Sequence, residues 1–164
     1  MPTLTIRAAT VEDAALILGF IRELAIYEKA EHAVLATVED IQSTVFGPNS
    51  STKAILCFYG NKPVGFAVYF LNYSTWLGKY GLYLEDLYVL PKYRRLGAGK
   101  KLLKYLAQLA VTNNYGRFEW SVLDWNTPAI KFYESIGAVA QSEWIGYRLE
   151  GKALTDFTQR GSVL

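Results

Sequence analysis

Residues 89–110 read VLPKYRRLGAGKKLLKYLAQLA. The segment leaves an apolar run at Pro91, crosses arginines, lysines and two glycines, and enters a leucine-rich stretch. Leu102, Leu103, Leu106, Leu109 and Ala110 recur at three- and four-residue spacing, which predicts a helix beginning after Gly99. Upstream, Tyr80 to Val89 is rich in Leu, Tyr and Val, which predicts a central strand that ends before Pro91. Strand, glycine turn and helix in this order present a helix N-terminus with partial positive charge.

Which anion such a turn holds depends on its glycines. A Walker loop needs G-x-x-x-x-G-K-[ST], but Arg94 stands where its first glycine belongs and Lys101 where its hydroxyl belongs. A dinucleotide fingerprint would need a third glycine at position 102, which is Leu102. What remains is R-x-x-G-x-G, Arg94 to Gly99, opening a helix. Gly97 and Gly99 let consecutive backbone N–H groups converge without Cβ obstruction, and Arg94, Arg95 and Lys100 add charge, an arrangement suited to a pyrophosphate. The bland alternative is an exposed basic turn that caps a helix. Nucleic-acid binding fits less well, because the basic stretch is short and the nearby aromatics follow strand or helix-core spacing.

Outward from this segment the chain alternates strand and helix signals. Thr3 to Arg7 reads as a strand, and Thr10-Val11-Glu12-Asp13 has capping-box spacing ahead of Ile17, Leu18, Ile21, Leu24 and Ala25. Thr37-Val38-Glu39-Asp40 opens a shorter helix that Gly47-Pro48 ends. Lys53 to Tyr59 and Val64 to Tyr73, split by Gly60-Asn61-Lys62-Pro63, form a hairpin signature. After the glycine-loop helix, Asn113 to Gly116 closes it and Arg117 to Leu123 is a further strand. Asn126 is a predicted N-cap, with Pro128 in the first turn of a helix that ends before Gly137. Strands are expected near Ala138 to Ser142 and Trp144 to Leu149. The expected fold is α/β (α+β): a mixed, mostly antiparallel central sheet of about seven strands flanked by helices.

With 164 residues, the chain accommodates one domain, taken as residues 1–164. A hydrophobic share of 51% and an aromatic share of 15% exclude a disordered chain, and a net charge of +2 confines any basic site to a local patch. The single cysteine, Cys57, sits in an apolar run and is expected to be buried and inert; it permits neither an internal disulfide nor a cysteine zinc cluster. The first residues lack a signal-peptide pattern and no apolar run matches a membrane span, so a soluble, cytoplasmic protein is expected.

The strand Leu84-Glu85-Asp86-Leu87-Tyr88-Val89, the loop Arg94 to Gly99 and the segment Asn126-Thr127-Pro128-Ala129-Ile130-Lys131-Phe132-Tyr133 together resemble the GNAT superfamily of N-acetyltransferases. The resemblance extends to the opening IRAATVEDAALILGFIRELAIYEKAE, the middle GFAVYFLNYSTWLGKYGLYLEDLYV and the ending FYESIGA. Within the superfamily the chain is most similar to the diamine (spermidine/spermine) acetyltransferases and their thialysine-acetylating relatives.

The resemblance implies acetyl-CoA as donor substrate, no metal, a small-molecule amine as acceptor, no nucleic-acid or membrane partner, and a homodimer. It implies that Arg94, Arg95, Leu96, Gly97, Ala98, Gly99 and Lys100 hold the pyrophosphate. By the same resemblance Leu87, Tyr88 and Val89 bind the pantetheine through their backbone, the Leu87 N–H polarises the thioester carbonyl, and Asn126, Thr127, Pro128 and Ala129 touch the donor from the other side. Tyr133 matches the acid that protonates the leaving thiolate, against the plain reading of a core aromatic beside Phe132. Glu85 matches the base. Ionised Glu85 and Asp86 inside an apolar strand are costly to bury, which independently marks them as functional; the alternative is exposure or pairing with an arginine. In a regular strand they point to opposite faces unless a bulge intervenes.

Acceptor contacts in the relatives fall on Tyr27 and Glu28, with Glu85 and Asp86 facing the same amine, and Glu31 adds a carboxylate nearby. The alternative is a solvated helix end. His32 is expected to be exposed and uninvolved. Trp144 and Ile145 stand where the diamine enzymes carry a second acidic group, and the chain is slightly basic. Both features favour a small lysine-like or thialysine-like amine over a long polyamine. A non-catalytic acyl-CoA-binding or sensor domain on the same fold is the rival reading.

Overall fold

The computed structural model describes residues 1–161, which divide into two compact units, the first running from Met1 to Leu123 and the second beginning at Asp124. In the first unit, strands β1 (Leu4–Ala8), β2 (Thr52–Tyr59), β3 (Lys62–Ser74), β4 (Lys79–Val89) and β5 (Phe118–Trp120) form one sheet in sequence order. The first three pairings are antiparallel and β4 pairs with β5 in parallel. Helices α1 (Ala14–Tyr27) and α2 (Val38–Val45) precede β2, and α3 (Ala98–Thr112) links β4 to β5. The fold is mixed α/β with a mostly antiparallel sheet, as expected.

Local chemistry sets the helix starts. The Thr37 N–H donates to the Asp40 carboxylate at 2.9 Å, and the Asp40 N–H donates to the Thr37 hydroxyl at 3.1 Å, a reciprocal box that begins α2. At the entry to α1 the Thr10 N–H donates to Asp13 at 2.8 Å. Arg7 forks the same carboxylate at 2.7 and 3.0 Å, holding its pKa down. β1 is thereby tied to the start of α1.

Alternation along the strands separates two apolar faces. Ala54, Leu56, Phe66, Val68 and Tyr88 pack with Ala14, Ile17, Leu18, Phe20 and Ile41 of the first two helices, and the Phe20 and Phe66 rings stack with centroids 5.4 Å apart. α3 packs on β4, β3 and β1 and buries Ala98, Leu102, Leu103 and Leu106. Cys57 is fully buried, and burial pushes its thiol pKa up, so it is the inert core residue its apolar run predicted.

Two bulges interrupt the ladders. Phe58 pairs with Pro63 and Cys57 with Gly65, leaving Val64 as the extra residue, a place where proline's missing N–H is tolerated. Val68 pairs with Asp86 and Tyr69 with Leu84, leaving Glu85 as the extra residue of β4.

The second unit holds α4 (Thr127–Ser135) and α5 (Gly151–Gln159). Here the expectation of about seven strands is corrected: the sheet among the described residues has five. Ala138 to Ser142 and Trp144 to Leu149 form no strand, and Trp144, Ile145 and Tyr147 are 68%, 77% and 95% exposed. A strand-like pattern states only that a segment suits a half-buried ladder; without a partner for its N–H and C=O groups it stays irregular. Helix α5 was not foreseen, although Lys152 and Asp156 form an ion pair at four-residue spacing on it.

Gly65 lies where β3 meets the end of β4, and a Cβ there would sit 2.8 Å from the Tyr88 carbonyl oxygen and 3.1 Å from Val89 Cγ2. Gly65→Ala is expected to cost about 1–3 kcal/mol in thermal or denaturant unfolding. Gly19→Ala, in α1 with no atom within 4 Å of the added Cβ, is expected to gain about 0.5–1 kcal/mol.

Candidate active site

The sequence that joins β4 to α3 makes the site's centre. After Leu90, residues Pro91–Leu96 form a 3-10 turn, and Gly97 follows at φ 84°, a left-handed conformation that glycine adopts without a Cβ penalty. The first bond of α3 runs from the Lys101 N–H to the Gly97 carbonyl at 2.9 Å. The N–H groups of Ala98, Gly99 and Lys100 therefore belong to the turn that has no acceptor inside the helix. A Cβ on Gly99 would lie 3.9 Å from both Leu87 Cδ2 and Val89 Cγ2, so the first turn of α3 rests on the end of β4. Arg95 and Lys100 are exposed around this turn, whereas Lys101 donates to the Leu4 carbonyl and anchors α3 to β1.

The β4–β5 ladder spans only Leu82 to Leu84 opposite Phe118 to Trp120. Among the described residues, the stretch Glu85 to Val89 continues on that side of the sheet without a neighbouring strand. An unpaired edge is a template for an added extended group, which is the role expected of Leu87, Tyr88 and Val89.

Glu85 and Asp86 sit at the bulge, so simple alternation no longer governs them. Glu85 is exposed and Asp86 partly buried. Burial chiefly, with help from the charges of Glu85 and Glu28, pushes the Asp86 carboxyl up to about 6. Burial also raises Glu28. Three carboxylates from two elements thus share one field, and a cation beside them would relieve their repulsion.

Glu28 reaches this place because α1 stops there. Lys29 takes φ 60°, the Lys29 N–H donates to the Ile26 carbonyl at 3.1 Å and the Ala30 N–H to the Ala25 carbonyl at 2.8 Å, a Schellman termination. Glu31 and His32 follow in an exposed 3-10 turn, His32 exposed as expected.

Arg94 behaves differently from the rest of its motif. Its Nε donates to the Val89 carbonyl at 2.9 Å, and its guanidinium lies 5.0 Å from the Tyr27 ring centre and 5.3 Å from that of Tyr88. The Tyr88 hydroxyl donates to Glu23 at 3.0 Å. Glu23 was missed in the sequence, although it stands four residues before Tyr27 and shares its helix face.

The remaining predicted site residues lie in the second unit. The Asn126 side chain accepts from the Ala129 N–H at 3.4 Å and its carbonyl from the Ile130 N–H at 3.0 Å, capping α4, with Thr127 and Pro128 opening the first turn. Tyr133 is partly buried on α4 with its ring 5.9 Å from that of Phe132. Gly137, at φ 93°, follows the helix end.

A glycine turn ahead of a 15-residue helix, an open strand edge and a carboxylate field now stand together in one unit. The profile of the Acetyltransferase (GNAT) family matches residues 16–138. The chain belongs to this family.

Among its relatives is the thialysine N-epsilon-acetyltransferase of Caenorhabditis elegans, 36% identical over 160 residues that cover 96% of this chain and 98% of the relative. The human spermidine/spermine N(1)-acetyltransferase-like protein 1 is 36% identical over 88% of this chain and 22% of its own greater length. Among solved structures, an integron cassette protein from the mobile metagenome of V. cholerae superposes with a TM-score of 0.81 at 30% identity, covering 96% and 98% of the two chains. The protein is thus a GNAT N-acetyltransferase, with thialysine acetyltransferases among its near relatives. No helix among the described residues is long and apolar enough to cross a membrane.

Asp86 carries a pH signature. Its carboxyl is raised in the folded acetyltransferase to about 6 from the usual 3.8, so ionising it costs folding free energy. The cost is absent below about pH 4, grows between pH 4 and 6, and is complete above pH 6. Asp86→Asn is expected to melt higher than the parent at pH 7, with the difference closing as the pH falls to 4. Thermal melts across that range measure it.

Proposed function

We propose that the protein transfers acetyl from acetyl-CoA to a primary amine of a small molecule, by direct attack within a ternary complex. The observation that carries this reading is the placing of Glu28, Glu85 and Asp86 in one electrostatic field around the open end of β4. In this reading the backbone N–H groups of Ala98, Gly99 and Lys100, with Arg95 and Lys100, receive the pyrophosphate. The Leu87 to Val89 edge receives the pantetheine, and the Leu87 N–H faces the thioester oxygen. Leu96, Asn126, Thr127, Pro128 and Ala129 complete the donor contacts, and residues 1–164 act as a single acetyltransferase domain.

The amine arrives as an ammonium and is attracted to the carboxylates of Glu28 and Asp86, with Tyr27 at the rim. Glu85, directly or through a water, takes one proton and frees the lone pair. The nitrogen attacks the carbonyl carbon, the C–N bond forms, and the charge gathers on oxygen. As the intermediate collapses the C–S bond breaks, and the phenol of Tyr133 protonates the departing thiolate. The nitrogen's second proton restores the phenol, so the products are the amide, the free thiol and one released proton.

The acceptor class follows from charge and size. Trp144 and Ile145 replace an acidic pattern that a long polycation would use, and the net charge is +2. A lysine-like or thialysine-like amino acid fits better than spermine, with diamines and shorter polyamines between them, in keeping with the thialysine-acetylating relative. A homodimer in the cytoplasm is part of the same reading. The β3–β4 hairpin offers it an apolar patch, with Trp76 88% exposed and Tyr73 edge-on to Tyr80 at 5.5 Å.

Release of coenzyme A thiol across diamines, polyamines, lysine analogues and other amino acids tests the acceptor: thialysine-like amino acids are expected to give the highest kcat/KM. Equal or greater values for spermine would overturn the preference. Tyr133→Phe is expected to lower kcat about 10²-fold or more with the Kd of acetyl-CoA nearly unchanged. Unaltered turnover would remove Tyr133 from the mechanism.

A further inference from the structure

The arginine that opens R-x-x-G-x-G would be expected to reach the donor's phosphates along with the glycine amides. Its guanidinium is engaged elsewhere. Arg94 donates from Nε to the Val89 carbonyl at 2.9 Å, at the last residue of β4. The Tyr27 ring from α1 lies 5.0 Å away and the Tyr88 ring from β4 lies 5.3 Å away. Tyr88 is itself held, buried to 5% exposure with its hydroxyl donating to Glu23 of α1 at 3.0 Å. The planar ion therefore meets the end of the donor strand and the helix that carries Tyr27 and Glu28.

We propose that Arg94 is a positioning residue, which fixes Tyr27 at the acceptor rim against the end of β4, and is not a ligand of the donor's pyrophosphate. The assignment of Arg94 to the pyrophosphate set made from the sequence is replaced by this one. It rests on the acceptor lying at Tyr27 and Glu28. Guanidinium suits this role because it is flat enough to lie against aromatic faces, always charged, and leaves donors to spare after Nε is used. Lysine has no flat face and carries a more strongly hydrated charge, so Arg94→Lys keeps the charge and loses the geometry. Tyr27 is 39% exposed, at a rim where an arriving amine can reach its ring.

Two donors separate positioning from phosphate binding. S-acetylpantetheine carries the thioester but no pyrophosphate. With Arg94→Lys the amine KM is expected to rise about tenfold with acetyl-CoA and with S-acetylpantetheine alike, while the Kd of coenzyme A stays within about twofold. A defect confined to acetyl-CoA, with the Kd of coenzyme A raised about tenfold, would make Arg94 a phosphate ligand and overturn the proposal. Unchanged amine KM with both donors would overturn it as well.

Tyr27 supplies the second arm and does not depend on Arg94→Lys folding. Tyr27→Leu removes the ring and is expected to raise the amine KM. Arg94→Lys added to Tyr27→Leu is expected to raise it little further, and multiplicative effects would contradict action through Tyr27. If no amine tested is acetylated, the acceptor reading fails. The coenzyme A affinity of Arg94→Lys against Arg95→Ala still decides the phosphate half: only Arg95→Ala is expected to weaken binding.

Discussion

The first turn of α3 rests on the end of β4, and most of the rest depends on that contact. Gly97 turns the chain through φ 84°, and Gly99 brings the helix to within 3.9 Å, Cβ position to side chain, of Leu87 and Val89. An anion seat made of backbone amides is then set next to an open strand edge. In the proposed reading the two features act together on a long donor with a doubly charged middle and an extended, amide-bearing arm.

Around that junction the sheet and α1 place the charges. The bulge at Glu85 exists because Val68 takes Asp86 as its partner and Tyr69 takes Leu84, and it brings two consecutive acidic residues out of strict alternation. α1 ends at a Schellman turn that leaves Glu28 close enough to bear on Asp86. Carboxylates so arranged repel one another and are partly desolvated, an arrangement that is unfavourable in the empty protein and favourable once a cation arrives. In the proposed reading, folding stability is given up where the acceptor binds.

Much of this was legible in the sequence, and the boundary of legibility is physical. Capping boxes at Thr10 and Thr37, the turn at Gly60-Asn61 and the leucine spacing of α3 are local signals, and each element formed where its signal lay. The glycine loop and the carboxylates were legible as residue types at fixed spacing. The bulge was not, because it is a property of the register between β3 and β4. Nor was the orientation of Arg94, which depends on where α1 places Tyr27. Ala138 to Ser142 and Trp144 to Leu149 have a strand's composition but no ladder among the described residues, and the apolar stripe of α5 is confined to Ala153, Leu154 and Phe157, too short a run to stand out in the sequence.

Amide resonances followed through a titration with acetyl-CoA test the junction most directly. Saturation is expected to shift Ala98, Gly99 and Lys100 at the start of α3 together with Leu87 and Val89 on β4, while Ile41 in α2 stays in place. Saturable binding of acetyl-CoA that leaves those five amides unmoved would contradict a donor seat built from the helix start and the strand edge.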